Sequence, residues 1–181
     1  MRAQLRVFGT ALLLFGAQAL SPTAAHAAPS CFGHAATIVG TSGNDSLTGT
    51  EEDDVIVGLA GDDEIGGGLG GSDFICGGAG ADLLDGEDSC SPACRVFIID
   101  DHISGGRGDD FIMGAGGNDR LLGDEGNDFI FGDSGADALV GGRGNDHLDA
   151  SDGVGGNDSA DGGREIDICI ADVGDFVSGC P

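Results

Sequence analysis

The stretch from Gly105 to Asp149 decides the fold, and it reads GGRGDDFIM, GAGGNDRLL, GDEGNDFIF, GDSGADALV, GGRGNDHLD. These are five consecutive nine-residue units, each with Gly first, Gly fourth, Asp sixth and Leu or Ile eighth. A fixed period of this kind indicates a repeat architecture. The glycines allow a tight turn over the first six residues. The last three residues alternate as a short strand with one side chain pointing inward.

Two units therefore form one coil of about eighteen residues, and coils stack by parallel strand pairing with a rise of about 4.8 Å. We predict an all-β fold, a parallel β-roll that is a right-handed β-solenoid. A first block of the same pattern begins at Gly40. The side chains expected to fill the interior are Leu47, Ile56, Ile65, Ile75, Leu84, Ile103, Ile112, Leu121, Ile130, Leu139 and Leu148.

Stacking also places the aspartates of alternate units above one another. Asp110, Asp128 and Asp146 should line one edge, and Asp119 and Asp137 the other. Two carboxylates about 4.8 Å apart repel by roughly 3 kcal/mol at an effective dielectric constant near 20. A cation is needed to offset that repulsion along a stack. Carboxylates and glycine carbonyls are hard oxygen ligands with flexible geometry, which suits Ca²⁺ better than Mg²⁺.

The units resemble the nonapeptides of the RTX (repeats-in-toxin) family, in which a Gly-Gly-x-Gly-x-Asp-x-apolar-x motif forms a calcium-filled parallel β-roll. The resemblance covers nearly the whole chain after the leader. It implies that the turns coordinate Ca²⁺ through aspartates and glycine carbonyls. The residues predicted to bind Ca²⁺ are Asp45, Asp63, Asp73, Asp82, Asp110, Asp119, Asp128, Asp137, Asp146, Gly105, Gly114, Gly123, Gly132 and Gly141. One unit, 49–54, lacks its fourth-position Gly, which puts its turn in doubt.

The domain organisation follows from where the repeats begin, loosen and end. Nineteen residues separate Asp82 from Asp101, close to two units, so we expect the register to continue through an irregular coil. We predict a signal peptide at 1–27, an N-terminal cap at 28–39, a first repeat block at 40–85, an irregular cysteine-containing coil at 86–104, a second repeat block at 105–149, and degenerate repeats with a C-terminal cap at 150–181.

Six cysteines in a secreted chain indicate disulfides. Cys76 and Cys94 are eighteen residues apart, one full coil, so their Cα atoms should lie about 5 Å apart, within bonding range. Cys169–Cys180 would clasp the cap, which leaves Cys31–Cys90. A zinc site formed by Cys90, Cys94 and His102 is the alternative.

The N-terminus predicts secretion to the extracellular space. Arg2 and Arg6 precede an apolar run, and Ala25-His26-Ala27 is a signal-peptidase motif. A membrane anchor is the alternative, but the run is shorter than the roughly 20 residues needed to span a bilayer. A lipoprotein modified at Cys31 is a second alternative, poorly supported by the residues before it. All seven basic residues are Arg, which suggests a GC-rich bacterial genome.

Charge restricts the partners. The chain has 32 acidic and 7 basic residues, a formal charge of −25, and removal of the leader with its two arginines brings this to −27. Such a chain should bind neither nucleic acid nor an anionic membrane. We predict a non-catalytic calcium-binding protein that folds on binding Ca²⁺, with cell-surface or matrix components as further partners. An adhesive, matrix or ice-binding solenoid is the alternative. An enzyme is disfavoured because no polar cluster lies outside the repeats, and Ser134 falls in repeat phase.

Overall fold

The computed structural model describes residues 28–86 and 99–181. A hairpin comes first, with β1 (Ser30–Cys31) antiparallel to β2 (His34–Ala35). Every later pairing between described strands is parallel, and the strands fall alternately into two sheets. Consecutive strands therefore face each other across the interior, and one strand from each sheet makes one coil. The predicted all-β parallel β-roll is confirmed.

The first sheet, called the long-strand sheet, contains eight strands. They are β3 (Ile38–Val39), β5 (Val55–Ala60), β7 (Phe74–Ala79), β9 (His102–Arg107), β11 (Arg120–Glu125), β13 (Ala138–Arg143), β15 (Ser159–Arg164) and β17 (Phe176–Ser178).

The second sheet, called the short-strand sheet, contains seven strands. They are β4 (Ser46–Thr48), β6 (Glu64–Gly66), β8 (Leu83–Asp85), β10 (Phe111–Met113), β12 (Phe129–Phe131), β14 (His147–Ala150) and β16 (Ile168–Ala171). Among the described residues no helix is long and apolar enough to cross a bilayer.

The interior consists of two columns of aliphatic side chains, one from each sheet. Ile56, Ile75, Ile103 and Leu121 lie in one column, and each is fully buried. Strand register aligns them, since Ile56 pairs with Ile75 and Ile75 with Ile103. All eleven residues predicted for the interior are there, although Leu47 in the first coil is only half-buried. Each column is continuous because side chains alternate between the two faces of a strand, so that each three-residue strand has one side chain pointing inward.

The stretch between the two repeat blocks corrects the expected spacing. Ile75 pairs with Ile103 and Leu84 with Ile112, each 28 residues apart instead of eighteen. Residues 86–104 therefore supply one repeat unit and not nearly two. Neither half of this stretch has the pair of glycines that a tight turn requires. The segment 87–98, which includes Cys90 and Cys94, lies outside the described residues.

The disulfides follow from this register. Cys31 bonds to Cys76, so the predicted pairs Cys76–Cys94 and Cys31–Cys90 are wrong. Cys76 pairs with Ser104 in the next coil, the position that spacing alone had assigned to Cys94. Cys169 bonds to Cys180, as predicted.

The terminal segments pack differently from each other. The β1–β2 hairpin lies on the outer face of the long-strand sheet, where the ring of His34 stacks on Phe74 at 4.3 Å and Phe74 packs on His102 at 5.0 Å. His102 is thus part of an aromatic cluster. At the other end, the predicted cap contains β17, which adds a strand to the long-strand sheet.

The neighbours Phe129, which points outward, and Ile130, which points inward, provide a test of the interior packing. Ile130 is fully buried, whereas Phe129 is 50% exposed. We expect Ile130→Ala to lower the free energy of unfolding by about 2–5 kcal/mol, since it leaves a cavity in the column. Phe129→Ala should cost much less. Urea titrations of both variants in saturating Ca²⁺ measure the difference. Equal losses of unfolding free energy would contradict an interior filled only by the inward-pointing residues.

Candidate metal centre

The sixth-position aspartates form two hydrogen-bonded ladders along the stack. In each ladder the backbone N–H of one aspartate donates to Oδ1 of the aspartate one coil later, at 2.8–2.9 Å. The first ladder, before the short strands, contains Asp45, Asp63, Asp82, Asp110, Asp128, Asp146 and Asp167. The second ladder, before the long strands, contains Asp54, Asp73, Asp101, Asp119, Asp137 and Asp158.

The ladders bring together every aspartate predicted as a ligand, on two edges as expected. They also contain residues that the predicted set omitted. Asp101, Asp158 and Asp167 lie in degenerate units, yet each accepts a hydrogen bond from the ladder residue before it. The signal that identifies them is an Asp two residues before an inward position, whatever the turn residues are.

The ladder carboxylates are buried, and most have one oxygen that makes no hydrogen bond. Apart from Asp45, each is at most 7% exposed. From Asp63 onward in the first ladder and Asp73 onward in the second, Oδ1 accepts a backbone N–H, whereas Oδ1 of Asp54 accepts the hydroxyl of Thr37 at 2.9 Å. The buried Oδ2 atoms that accept none belong to Asp63, Asp82, Asp110, Asp128, Asp146, Asp158 and Asp167. A buried carboxylate oxygen without a partner is unfavourable by several kcal/mol unless a proton or a cation neutralises it.

The first glycine of each unit holds open a space beside this oxygen. A Cβ on Gly123 would collide with Oδ2 of Asp128 and lie 2.6 Å from the carbonyl oxygen of Gly141. The same pair of oxygens meets at Gly77, where Oδ2 of Asp82 faces the carbonyl oxygen of Gly105. A carboxylate oxygen and a carbonyl oxygen from the next coil therefore converge where the glycine has no side chain. We call this position the cradle of that glycine.

All five glycines predicted as ligands lie against the carboxylate of their own unit, and four also place a carbonyl oxygen at the preceding cradle. The carbonyls of Gly105, Gly114, Gly132 and Gly141 face the cradles of Gly77, Gly86, Gly114 and Gly123. Within the described residues no three His, Cys, Asp or Glu side chains converge on one point. The donor set is instead one carboxylate per level with backbone carbonyls, which fits the oxygen ligands and flexible geometry of Ca²⁺.

Burial raises the pKa of these carboxyls. It raises the pKa of Asp73, Asp110 and Asp128 to about 7 and that of Asp137 to about 6. The backbone N–H that each accepts partly offsets the effect, and the neighbouring ladder carboxylates add to the increase. Without metal, these four carboxyls thus keep their protons to a higher pH than an ordinary Asp does. A cation would take the place of those protons.

The first two units are built differently. Oδ2 of Asp45 accepts hydrogen bonds from the backbone N–H of Thr41 at 2.5 Å and from its hydroxyl at 3.0 Å. Oδ2 of Asp54 accepts the same two bonds from Thr50, at 2.7 and 2.9 Å. Threonine donors therefore satisfy the oxygen that faces an open space in later units. Asp45, predicted as a ligand, differs from the other predicted aspartates in this respect.

The fold and these ladders define a β-solenoid whose turns are suited to binding cations. The family described as RTX calcium-binding nonapeptide repeat matches residues 39–71, 68–89, 100–130, 113–148 and 131–169, together more than half of the chain. The chain belongs to this family. Its repeats are of a calcium-binding type that is structural and typically non-catalytic. A comparison with curated proteins gave no match.

Adding a methyl group to a cradle tests the geometry. Gly123→Ala would place Cβ against Oδ2 of Asp128 and the carbonyl of Gly141, so we expect loss of the Ca²⁺ held at that level. Gly43→Ala is the matched control, because a Cβ on Gly43 meets nothing within 4 Å. Isothermal titration calorimetry of both variants would count the bound ions. Unchanged stoichiometry in Gly123→Ala would exclude this cradle.

The raised pKa values predict opposite pH responses with and without Ca²⁺. The ordinary pKa of Asp is 3.8 and the folded value for Asp110 and Asp128 is about 7, so metal-free folded protein binds more protons than unfolded protein between these values. The stability that these groups contribute is therefore fully present below about pH 4 and is lost as pH rises toward 7. With Ca²⁺ bound, protons compete for the ligands, so stability should rise over the same range.

Circular dichroism of thermal unfolding, in a chelator and in saturating Ca²⁺, measures both slopes. A metal-free protein whose folded fraction decreases steadily on acidification from neutral pH would contradict the protonated ladders.

Proposed function

We propose that this protein is a secreted, structural calcium-binding protein that folds when Ca²⁺ enters its ladders. The observation that carries the proposal is the row of buried Oδ2 atoms that accept no hydrogen bond, which in the regular units lie beside the first-position glycine. Membership of a calcium-binding repeat family supports Ca²⁺ as that ion. The role is structural, because the ligands lie between coils and join one coil to the next.

Folding on binding follows from the state of the chain without metal. The sequence contains 37 glycines and has a formal charge of −25, so the unfolded chain is flexible and the folded chain repels itself. An ion that binds only the folded form stabilises it by about 2.7 kcal/mol per site at a hundred times the dissociation constant. Several equivalent levels in two ladders would together favour folding strongly.

Export is the second part of the proposal. The leader, the disulfides Cys31–Cys76 and Cys169–Cys180, and the need for abundant Ca²⁺ all suit an extracellular protein. Extracellular calcium modules bind at roughly 10⁻⁴ to 10⁻³ M. A chain of this kind would remain unfolded where Ca²⁺ is scarce and fold after export.

A contact role at a surface or in a matrix is the second candidate. The outer face of the short-strand sheet carries a row of aromatic rings. Phe111 packs on Phe131 at 5.2 Å, and Phe129 packs on His147 at 5.6 Å. Phe111 is 37% and Phe129 50% exposed. Exposed apolar patches commonly mark interaction sites. Only Ser46 and Thr48 of this face carry hydroxyls, so the face does not favour ice binding.

Far-UV circular dichroism during a Ca²⁺ titration of the oxidised protein tests folding on binding. We expect a transition from coil to β structure with Ca²⁺, and little response to Mg²⁺, which demands a stricter octahedral geometry. Asp128→Ala should move the transition to higher Ca²⁺, because it removes a ladder carboxylate. Glu64→Ala removes an equally negative but exposed side chain and should leave the midpoint nearly unchanged.

Two outcomes would overturn the proposal. A metal-free protein that is fully folded at neutral pH and does not bind Ca²⁺ would leave the disulfides and the aliphatic column as the source of stability. Equal midpoints for Asp128→Ala and Glu64→Ala would show that only the overall charge matters.

A further inference from the structure

The stack has an open strand edge at each end. It begins with β3 and ends with β17, both in the long-strand sheet, and within the described residues each pairs with a neighbour on one side only. The short-strand sheet is likewise bounded by β4 and β16. An open edge presents backbone N–H and C=O groups that can pair with another strand.

The interior column is uncovered at these ends. Val177 stands on Ala160 in the inward position of β17, yet it is 43% exposed, whereas Leu139 in the same column is 1% exposed. At the other end the inward residues Ile38 and Leu47 are only half-buried. The exposure arises because no further coil in the described residues lies beyond them.

The end faces are also the least charged parts of an acidic molecule. The first coil, 37–49, has one charged residue, Asp45, and neither β16 nor β17 has any. In the turn between those strands, Asp172 and Asp175 are held by backbone N–H groups of the preceding coil, including Gly153 and Gly156 at 2.6 Å each. Two copies approaching end to end therefore avoid the acidic sides that would repel each other.

The strand direction favours one way of joining two copies. Every strand pair within the long-strand sheet is parallel. Pairing β17 of one copy with β3 of another continues that parallel pattern, whereas joining two copies of β17, or two copies of β3, within this sheet would require antiparallel strands.

We propose that folded copies of this chain stack head to tail, with β17 of one copy parallel to β3 of the next. Ile38 would then cover Val177, and the aliphatic column would continue from one copy into the other. Since the stack begins and ends with a long strand, one strand's width remains between β16 and β4. In the stacked pair, residues 179–181 would lie near that gap, since the Cys169–Cys180 disulfide ties them to β16.

The contact is small. Two sheets about 10 Å apart, with strands of a few residues at about 3.3 Å each, give an end face of a few hundred Å². Stable specific interfaces bury roughly 800 Å² per partner. Association is therefore weak and depends on protein concentration. It is also heterologous, so it produces an open series of oligomers instead of a closed dimer.

Sedimentation velocity on the purified secreted protein in saturating Ca²⁺ tests the proposal over a wide range of concentration. We expect the weight-average mass to rise without a plateau at two chains. Val39→Asp and Val177→Asp place a charge at the N-terminal and C-terminal end, respectively, where each valine is 43% exposed. Each variant alone should remain monomeric. An equimolar mixture should form dimers, because each variant keeps the end that the other lacks.

Leu69→Asp is the matched control, since it puts the same charge on an apolar residue that is 52% exposed and lies away from both ends and from the aromatic row. It should oligomerise like the parent protein. Circular dichroism in Ca²⁺ verifies first that all variants are folded, which separates this test from that of calcium-driven folding. A parent protein that stays monomeric, a series that stops at the dimer, or variants that fail to complement each other would overturn the proposal.

Discussion

The rest of the structure depends on the state of the buried ladder carboxylates. From Asp63 and Asp73 onward, each Oδ1 accepts the backbone N–H of the aspartate one coil earlier, so the ladder also joins successive coils. Within the described residues, Oδ2 of Asp110 and of Asp128 accepts no hydrogen bond. A proton can neutralise it, as the raised pKa values indicate. A bound cation would also neutralise Oδ2 of Asp128 and would have the carbonyl oxygen of Gly141, in the next coil, as a second ligand. Only the cation would add a link between coils.

Glycine connects this electrostatic requirement to the thin core. Each nine-residue unit supplies one buried aliphatic side chain, so apolar burial alone compensates little of the entropy lost in ordering glycine-rich turns. The same first-position glycines that loosen the unfolded chain leave the space beside Oδ2. A side chain there would favour the folded backbone but close the cradle. The glycine-rich composition therefore lowers the intrinsic stability of the fold but leaves a possible cation site at nearly every level.

Strict periodicity made much of this structure predictable from sequence. An Asp two residues before an aliphatic, repeated every nine residues, specifies both the strand register and the carboxylate ladder, because a slip by one residue would expose every Ile and Leu. The disulfide partners of Cys31 and Cys76 could not be derived in this way, since they depend on how many units residues 86–104 contribute. The hydrogen bonds of Thr41 and Thr50 could not be predicted either. Both residues occupy an ordinary turn position, and only the structure shows which carboxylate oxygen each one reaches.

Dependence on metal is therefore distributed unevenly along the stack. In the first two units, threonine hydroxyls and amides supply the donors that the buried oxygens need, and Cys31–Cys76 ties the hairpin to the third coil. In the last coils, Cys169–Cys180 joins the tail to the stack. The levels at which Oδ2 accepts no hydrogen bond extend from Asp63 to Asp167 and so include the last coils. Only the N-terminal end thus has ladder carboxylates that the chain itself satisfies. If Ca²⁺ fills the later levels, as we propose, it would extend order along the stack from that end.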